Sequence, residues 1–397
     1  MSIFSGLYQT AVVTLLNLRT IPARLGSSAV AVVGMAGVVT VLVSVLSIAE
    51  GLRATMADTG SPDTAIVMRA GADAEMTSIL MREDLTVVKD APEIARTRDG
   101  SLASAEMFVV VDLVKASTGT TATAPLRGVD PAAFQVRHVR MVRGRPFVSG
   151  RNEVIVGRAA AEEYRGLDVG TQLRFGQNQW TVVGIFDAGG TVPDSELWCD
   201  AGVLAPLYRR GNSRQAVYVK LTRPEAFTAF KDRLTTDPRV KVKVMREQEY
   251  YAGQSETLYG TITTIGWIIG VIMGLGALFT AVNTMYSAVA NRTREIATLR
   301  ALGFRGGPVV ASVVAESMLL ATAGGLVGGL AAYIAFNGYQ AATMNWQTMS
   351  SIGFAFRVTP RLLRLGIGWA LTLGFLGGVF PAIRAMRLPV VTALREL

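Results

Sequence analysis

The chain alternates between long uncharged runs and one long segment of mixed polarity. Four runs contain no Asp, Glu, Lys or Arg, at residues 25–49, 257–291, 317–356 and 365–383. A hydrocarbon core about 30 Å thick needs roughly 20 helical residues, so each run is long enough to cross a membrane. The third run turns polar and aromatic in its second half, which ends that span near Phe336.

This pattern predicts the fold class and the division of the chain. We expect a membrane protein, α-helical with four transmembrane helices, and a large α+β extracytoplasmic domain inserted between helices 1 and 2. The predicted spans are residues 25–50, 257–290 (including a stalk), 307–336 and 364–384. The other segments are an amphipathic cytoplasmic-face helix at 1–24, the inserted domain at 51–256, a connector at 291–306, an external loop at 337–363 and a tail at 385–397.

The inserted domain contains both helical and strand periodicities. "LTVVKDAPEIAR" and "RPEAFTAFKDRL" are typical of helices, whereas "MFVVVDLVK", "NEVIVG" and "QAVYVKL" are typical of strands. Two β-rich runs flank the turn "GQNQ" in "TQLRFGQNQWTVVGIF", which predicts a hairpin. We expect two lobes, with a strand-rich insertion at about 140–200 inside a layer built from both ends of the domain.

Positive residues predict the orientation in the membrane. Arginines cluster before the first span, between the second and third, and after the fourth, at Arg19, Arg24, Arg292, Arg294, Arg300, Arg305, Arg384, Arg387 and Arg395. The positive-inside rule then places both termini in the cytoplasm. Arg357, Arg361 and Arg364 oppose this assignment. An alternative for residues 1–24 is a plain juxtamembrane linker, and we expect the first span to be retained rather than cleaved as a signal sequence.

Composition adds little chemistry to this picture. Half of the residues are hydrophobic, the mean hydropathy is +0.36 and the net charge is +9. Topogenic arginines and a mildly basic domain account for the charge better than nucleic-acid binding does. Cys199 is the single cysteine, so no intramolecular disulfide is possible and a buried structural thiol is expected.

The sequence lacks the motifs of common catalytic sites, so we expect no enzyme activity in this chain. No GxxxxGK[ST] or GxSxG motif occurs, and His138 is the single histidine. In "GGTVPDSELWCD", carboxylates surround Trp198 at Asp194, Glu196 and Asp200. We expect an exposed acidic loop there rather than a calcium site, or else a contact loop for a periplasmic partner, and we assign no metal.

The densest positive cluster is the connector, "NRTREIATLRALGFRGG". We expect the second span to continue through it as one helix, ended by Gly303. Its apolar residues Ile296, Leu299 and Leu302 share one face. The charged residues of the other faces are Arg292, Arg294, Glu295 and Arg300. An alternative is a topogenic loop that contacts nothing.

Glycines recur at four-residue spacing in three spans. They are Gly266, Gly270 and Gly274 in the second, Gly324 and Gly328 in the third, and Gly374 and Gly378 in the fourth. Glycine at this spacing lets helix backbones approach closely. We therefore predict helix-packing faces and not a polar translocation pore.

The connector and the next span resemble the FtsX-like permease domain of ABC transporters, whose signature is a helical "R-x-x-E-I-x-x-L-R-A-L-G" followed by a Glu-Ser pair. The matching positions are Arg292, Glu295, Ile296, Leu299, Arg300, Ala301, Leu302, Gly303, Glu316 and Ser317. One span, a large external domain and three further spans are also the arrangement of the MacB-like macrolide-exporter and lipoprotein-releasing permeases.

The resemblance implies a coupling helix that docks on a separate cytoplasmic ABC ATPase, which binds ATP and Mg, while this chain binds no cofactor directly. It also implies a bacterial inner-membrane location, a second permease copy or paralogue, contact with membrane lipid, and a periplasmic adaptor or substrate-binding partner. The implied task is mechanical extraction or export of a lipid-like, lipoprotein or hydrophobic substrate. Alternatives are a signalling scaffold that regulates an external hydrolase, and a membrane-anchored enzyme.

Glu316 is the carboxylate that the resemblance places inside a span. An uncompensated charge there is costly, so it needs a partner or a function. We expect an ion pair with Arg292, Arg294 or Arg305, in preference to proton transfer. Such a pair would connect the connector to the third span.

Overall fold

The computed structural model describes residues 25–176, 178–302, 306–345 and 350–387. The predicted N-terminal amphipathic helix and most of the predicted tail lie outside these ranges. The chain divides into two compact units. We call Gly51–Tyr259 with Gln340–Ala355 the sheet unit, and the described parts of the remaining chain the helical unit.

The described helices, in chain order, are α1 (Leu25–Ala57), α2 (Arg82–Lys89), α3 (Ala133–Val136), α4 (Arg158–Glu163), α5 (Ala201–Leu207), α6 (Ala226–Thr236), α7 (Glu247–Ala290), α8 (Thr293–Ala301), α9 (Gly306–Phe336) and α10 (Pro360–Arg387). Four of these, α1, α7, α9 and α10, are long and apolar enough to cross a membrane. They correspond to the four predicted spans.

The described strands are β1 (Thr64–Arg69), β2 (Arg96–Thr97), β3 (Gly100–Ser101), β4 (Ala103–Val114), β5 (Thr121–Val129), β6 (Arg140–Gly144), β7 (Glu153–Gly157), β8 (Gln172–Phe175), β9 (Asn178–Asp187), β10 (Leu197–Asp200), β11 (Ala216–Lys220), β12 (Val242–Arg246), β13 (Gln340–Asn345) and β14 (Ser350–Ala355). Short 3-10 turns occur at Glu75–Thr77 and Val192–Ser195.

Ten strands of the described chain form one mixed sheet in the order β12-β1-β11-β4-β5-β10-β7-β9-β6, with β8 also pairing β9. The pairs β5–β10 and β7–β9 are parallel and the others are antiparallel. Pairing of Phe175 with Asn178 confirms the predicted hairpin. Gly176 in its turn has φ +62, a conformation that glycine adopts without steric cost.

Two large hydrophobic cores lie on this sheet, besides a smaller cluster that includes Ile155, Phe186 and Trp198. One is built from both ends of the unit and contains buried residues of β1, β11, β12, α2 and α6. The other comes from the middle and extends from Met107 to Ala205. The inserted lobe is thus longer than the predicted 140–200, because β4 runs through both cores, with Ala105 in the first and Met107 in the second.

The predicted external loop is structured in the part that the structure describes. Strands β13 and β14 pair in antiparallel register from Gln340 and Ala355 to Asn345 and Ser350. Ile352 and Phe354 are buried. This hairpin groups with the sheet unit although it connects α9 to α10, a long-range association that hydropathy cannot indicate.

The helical unit packs through the predicted glycine faces. A Cβ at Gly266 or Gly270 would approach Leu46 or Leu42 of α1, and one at Gly274 would approach Trp369 of α10. Gly324 and Gly328 face Met35 and Ala36 of α1, and Gly374 and Gly378 face Ala321 and Ser317 of α9. These close contacts are the packing device expected where lipid supplies no hydrophobic driving force.

Gly328→Ala tests one of the two closest of these contacts. The new Cβ would lie 2.4 Å from the carbonyl oxygen and 2.9 Å from the Cα of Ala36, and backbone atoms cannot move aside cheaply. We expect destabilisation by about 1–3 kcal/mol, measured by thermal unfolding in detergent. Gly276→Ala is the matched control, since nothing lies within 4 Å of its Cβ position. Equal melting temperatures for the two variants would contradict close packing at Gly328.

Candidate functional site

The connector is a separate helix in the structure. Helix α7 ends at Ala290 and α8 begins at Thr293, so the predicted single helix is interrupted at residues 291–292. Arg292 precedes α8 with φ −114 and ψ 12, outside the helical region. The interruption allows α8 a direction of its own and lets the Arg292 side chain turn inward. Gly303, the predicted cap, lies outside the described residues.

The faces of α8 differ from the prediction. Ile296, expected as a surface anchor, is 7% exposed and packs in a cluster with Met285 and Val313. Arg292, expected on the rim, is 5% exposed. Both side chains therefore fasten α8 to the helical unit. Between Thr293 and Leu302, the exposed residues that the structure describes are Arg294, Glu295, Thr298, Ala301 and Leu302. Arg300 is half-buried, and the Leu299 side chain lies outside the described part.

Arg292 and Glu316 form a buried ion pair. Nη1 of Arg292 donates to Oε2 of Glu316 at 3.1 Å, and each side chain is 5% exposed. The pair borders a small cavity shared with Ser312, Ile296 and Val309. An unpaired charge in this position would cost several kcal/mol, so the pair constrains α8 against α9.

A second group of buried charges lies in the sheet unit. We call it the ion network. Its members, which come from six different strands, turns and helices, are Glu75, Glu106, Arg127, Arg137, Glu196 and Glu247. No local pattern in the sequence brings them together. The available signal was a charged residue inside an otherwise buried strand, as in "SAEMFVVV" and "PLRGVD".

Arg127 is the centre of this network. Its Nε and Nη2 donate to the two oxygens of Glu196 at 2.9 and 2.8 Å, and its Nη1 and Nη2 donate to Glu75 at 2.5 and 3.3 Å. Nη1 also reaches Oε2 of Glu106 at 3.1 Å. Burial alone would lower the pKa of Arg127, but Glu196 and Glu75 raise it well above its ordinary value. The guanidinium therefore stays charged.

Arg137 links the network to the first turns of α7. Its Nη1 lies 3.2 Å from Oε2 of Glu106, its Nε lies 3.3 Å from Oε1 of Glu247, and its Nη2 donates to the Tyr251 hydroxyl at 2.9 Å. The guanidinium also lies over the Tyr218 ring, 4.2 Å from its centroid. Because Glu247 and Tyr251 belong to α7, the sheet holds this helix by buried polar contacts.

The network has more carboxylates than guanidinium groups. Four glutamates face two arginines, and within the described chain Oε1 of the fully buried Glu106 has no hydrogen-bond partner. Burial raises the pKa of Glu106 from 4.5 to about 7, although Arg137 and Arg127 oppose the shift. Arg127 cannot offset it fully because Glu75 and Glu196 already share its charge. We therefore expect Glu106 to take up a proton near neutral pH.

The acidic residues around Trp198 do not form an exposed loop. Asp194 is 3% exposed and accepts from the backbone N–H groups of Ala188 and Gly190, both at 2.6 Å. Glu196 belongs to the ion network, and Asp200 caps α5 by accepting from Gly202 N–H at 2.7 Å. The expectation of an exposed loop was wrong because buried N–H and guanidinium groups satisfy these carboxylates. Among the described residues, no acidic, His or Cys cluster suits a metal ion.

The structure also describes the surroundings of the single cysteine and the single histidine of the sequence. Cys199 is buried, and burial raises the pKa of its thiol. His138 is exposed in a left-handed backbone conformation, φ 51, with its Nε2 lying 3.3 Å from Nζ of Lys220.

The sequence matches two protein-family models. Residues 28–237, just over half of the chain, match the MacB-like periplasmic core domain, and residues 267–390 match the FtsX-like permease C-terminal domain. The chain belongs to the MacB-like family. It is an ABC transporter permease of the MacB and FtsX type, which confirms the resemblance of the connector and of the overall arrangement.

Relatives match this chain at low identity. The macrolide export ATP-binding/permease protein MacB of Bdellovibrio bacteriovorus is 23% identical over 91% of this chain and 58% of its own length. The ABC transporter permease YknZ of Bacillus subtilis is 30% identical over 38% of this chain and 36% of its own. The chain thus spans just over half the length of the first of these relatives.

A solved structure is also similar. The periplasmic region of MacB from Actinobacillus actinomycetemcomitans aligns with a TM-score of 0.37 at 15% identity, covering 51% of this chain and 94% of that one.

Removing one partner of the Arg292–Glu316 pair should cost more than removing both. Glu316→Leu removes the carboxylate that pairs with the buried Arg292 guanidinium, so we expect a loss of roughly 3–5 kcal/mol in thermal unfolding. Arg292→Leu/Glu316→Leu should recover most of that loss. If the double variant is as unstable as the sum of the single variants, the two side chains do not interact.

Protonation of Glu106 should make stability depend on pH. Because its folded pKa is raised from 4.5 to about 7, the proton contributes stability that is complete below pH 4.5 and is lost as the pH rises towards 7. Wild type should therefore melt at a lower temperature at about pH 8 than at about pH 5. Glu106→Gln imitates the protonated form, so its profile should be flatter, with a gain at high pH of the order of 3 kcal/mol at most.

Glu153→Gln is the control for this pH profile. Glu153 forms a two-pronged pair with Arg145, and that hydrogen bonding lowers the pKa of Glu153 to about 2. Its contribution is constant above about pH 4.5, so the variant should lower the melting temperature equally across the range. A wild-type profile that is flat, or one that Glu106→Gln leaves unaltered, would contradict the assignment of the proton to Glu106.

Proposed function

We propose that this chain is the transmembrane subunit of a transporter in which a separate ATPase drives movement of the sheet unit on the external side of the membrane. In this proposal the ATPase carries ATP and Mg; the P-loop motif that such binding commonly uses does not occur among the 397 residues. The work done is extraction or export of a lipid-like, lipoprotein or hydrophobic substrate. The name of the Bdellovibrio relative, a macrolide export protein that includes an ATP-binding part, supports this class of task.

The observation that carries the proposal is the form of the connector. Helix α8 is a short, separate helix that is anchored in the helical unit by its residue Ile296 and by Arg292, which directly precedes it. Its outward residues include the charged Arg294 and Glu295 and the 72% exposed Leu302. A helix that is fixed on one side and presents an apolar residue with a charged rim on the other is suited to a groove in a partner protein. Leu302 replaces Ile296 as the proposed anchor.

The helical unit supports mechanical transmission rather than a solute pore. Its helices meet at glycine faces, which bring backbones together and leave little space between them. Helix α7 also exposes an apolar stripe at Ile265, Ile268, Ile272, Leu275 and Phe279. A second permease copy or lipid would cover this stripe, in accord with a dimeric assembly.

We further propose that the chain lies in the inner membrane with both termini on its cytoplasmic side. A periplasmic adaptor would be a further partner.

Leu302→Asp tests the docking surface. A charge in place of the anchor should reduce the ATPase chain recovered with the tagged permease in mild detergent, and the associated ATP hydrolysis, at least about tenfold. Val142→Asp is the matched control, because Val142 is 53% exposed on the sheet unit. It should retain both.

Two results would oppose the proposal. Recovery of no ATPase with the wild-type chain would remove the transporter assignment. Full recovery with Leu302→Asp would leave the ATPase as a partner but exclude this face of α8 as its docking surface.

A further inference from the structure

One short segment of the sheet unit is linked, directly or through buried side chains, to every part of that unit that continues into a long apolar helix. We call residues 192–196, "VPDSE", the junction segment; it joins β9 to β10. All five residues are buried. The parts that reach it are the end of α1, the start of α7 and the β13–β14 hairpin between α9 and α10.

The α1 contact comes through two threonines. The backbone N–H of Val192 donates to Oγ1 of Thr59 at 3.0 Å. The same hydroxyl donates to the carbonyl of Thr55, within α1, at 2.7 Å. Thr59 is 1% exposed, so water does not compete for this link. A displacement of the end of α1 is therefore passed directly to the junction segment.

The hairpin contact uses the other end of the segment. The backbone N–H of Gly353 donates to Oγ of Ser195 at 2.9 Å. On either side of Gly353, the Ile352 and Phe354 side chains are each 4% exposed. A Cβ at Gly353 would lie 3.4 Å from Cβ of Ala159, which shows how closely this strand approaches α4.

The α7 contact passes through the ion network. Glu196 holds Arg127 by two hydrogen bonds, Arg127 and Arg137 share Oε2 of Glu106, and Arg137 contacts Glu247 and Tyr251 of α7. Every one of these side chains is buried. Breaking any step would leave a charged group without its partner in a medium of low dielectric, so the path resists separation.

The junction segment is itself stiff. Asp194 accepts two backbone N–H groups of the preceding turn, and the carbonyl of Glu196 accepts from Gly157 N–H at 2.9 Å. A Cβ at Gly157 would lie 2.2 Å from the carbonyl oxygen of Asp194, so the backbones are in direct contact. A segment held on all sides transmits displacement instead of absorbing it.

From these contacts we infer that residues 192–196 combine the movements of α1, α7 and the β13–β14 hairpin, and that the hairpin moves with the sheet unit as one body during the ATPase cycle. Ser195 is the positioning residue for the hairpin. The inference rests on the proposed function, because it concerns the path by which ATP-driven movement reaches the sheet. The sheet unit then responds to the combined movements of α1, α7 and the β13–β14 hairpin, and not to the movement of a single helix.

The first experiment locks the hairpin contact. Ala159→Cys/Gly353→Cys places two thiols at a Cβ separation close to that of a disulfide. We expect the bond to form on mild oxidation of the full complex with its ATPase, and ATP hydrolysis to change less than twofold. The single variant Ala159→Cys controls for the substitution. A loss of more than fivefold that a reductant reverses would show that the contact must open, and would overturn the inference, as would failure of the thiols to react.

The second experiment loosens the same contact. A spin label at Thr118→Cys, an exposed loop position, reports the distance between the sheet units of the two copies with and without ATP, with buried Cys199 left in place. Ser195→Val and Ile352→Asp should at least halve the ATP-dependent change in that distance while hydrolysis continues. Ser213→Ala is the control, since the Ser213 hydroxyl bonds only locally to Arg210.

The outcomes separate the two proposals. An unchanged ATP-dependent distance shift in both loosened variants would overturn the junction while leaving the transporter assignment intact. If the ATPase does not assemble, or the parent chain shows no shift with ATP, the proposed function fails and the junction fails with it. If Ile352→Asp alone has a reduced melting temperature, destabilisation cannot explain an equal loss of the ATP-dependent distance change in Ser195→Val.

Discussion

The sheet unit depends on the charge of Arg127. A guanidinium with 1% exposure is stable only when its donors are filled, and here Glu75 and Glu196 occupy its two sides while Glu106 approaches a third position. Glu75 lies in a 3-10 turn, Glu196 directly precedes β10 and Glu106 lies in β4, so one ion sets the spacing of three chain segments. An apolar core of the same volume could match its stability, but it would not impose the same register.

The helical unit also contains a buried charge that is held by an opposite charge, on a smaller scale. Arg292 and Glu316 are buried as a pair, and around them glycines bring α1, α7, α9 and α10 into close contact. Packing of this kind permits few intermediate arrangements, because a backbone contact is either kept or lost. Both units therefore favour concerted movement over local yielding. That property suits the proposed task of converting a partner's ATP hydrolysis into displacement.

The features that sequence analysis predicted well were local ones. The spans, the β8–β9 hairpin and the glycine faces each depend on residues within one or two turns or strands of each other. The connector was predicted only in part. Its periodicity placed Ile296 on an apolar face, but that face packs inward, and only Leu302 of the two described apolar side chains is exposed. Periodicity identifies an apolar face and does not say which surface covers it.

The sequence by itself determined the membrane class, the four spans and the family, because hydropathy and a contiguous motif are properties of neighbouring residues. Only the tertiary structure decided that Glu75, Glu106 and Glu196 converge on Arg127, and that the β13–β14 hairpin belongs with the sheet. Those contacts join positions that are 21 to 69 residues apart around Arg127 and 158 residues apart between the hairpin and Ser195. The sequence does not show whether a carboxylate will contact water or a buried guanidinium, because its surroundings are set only when the chain has folded.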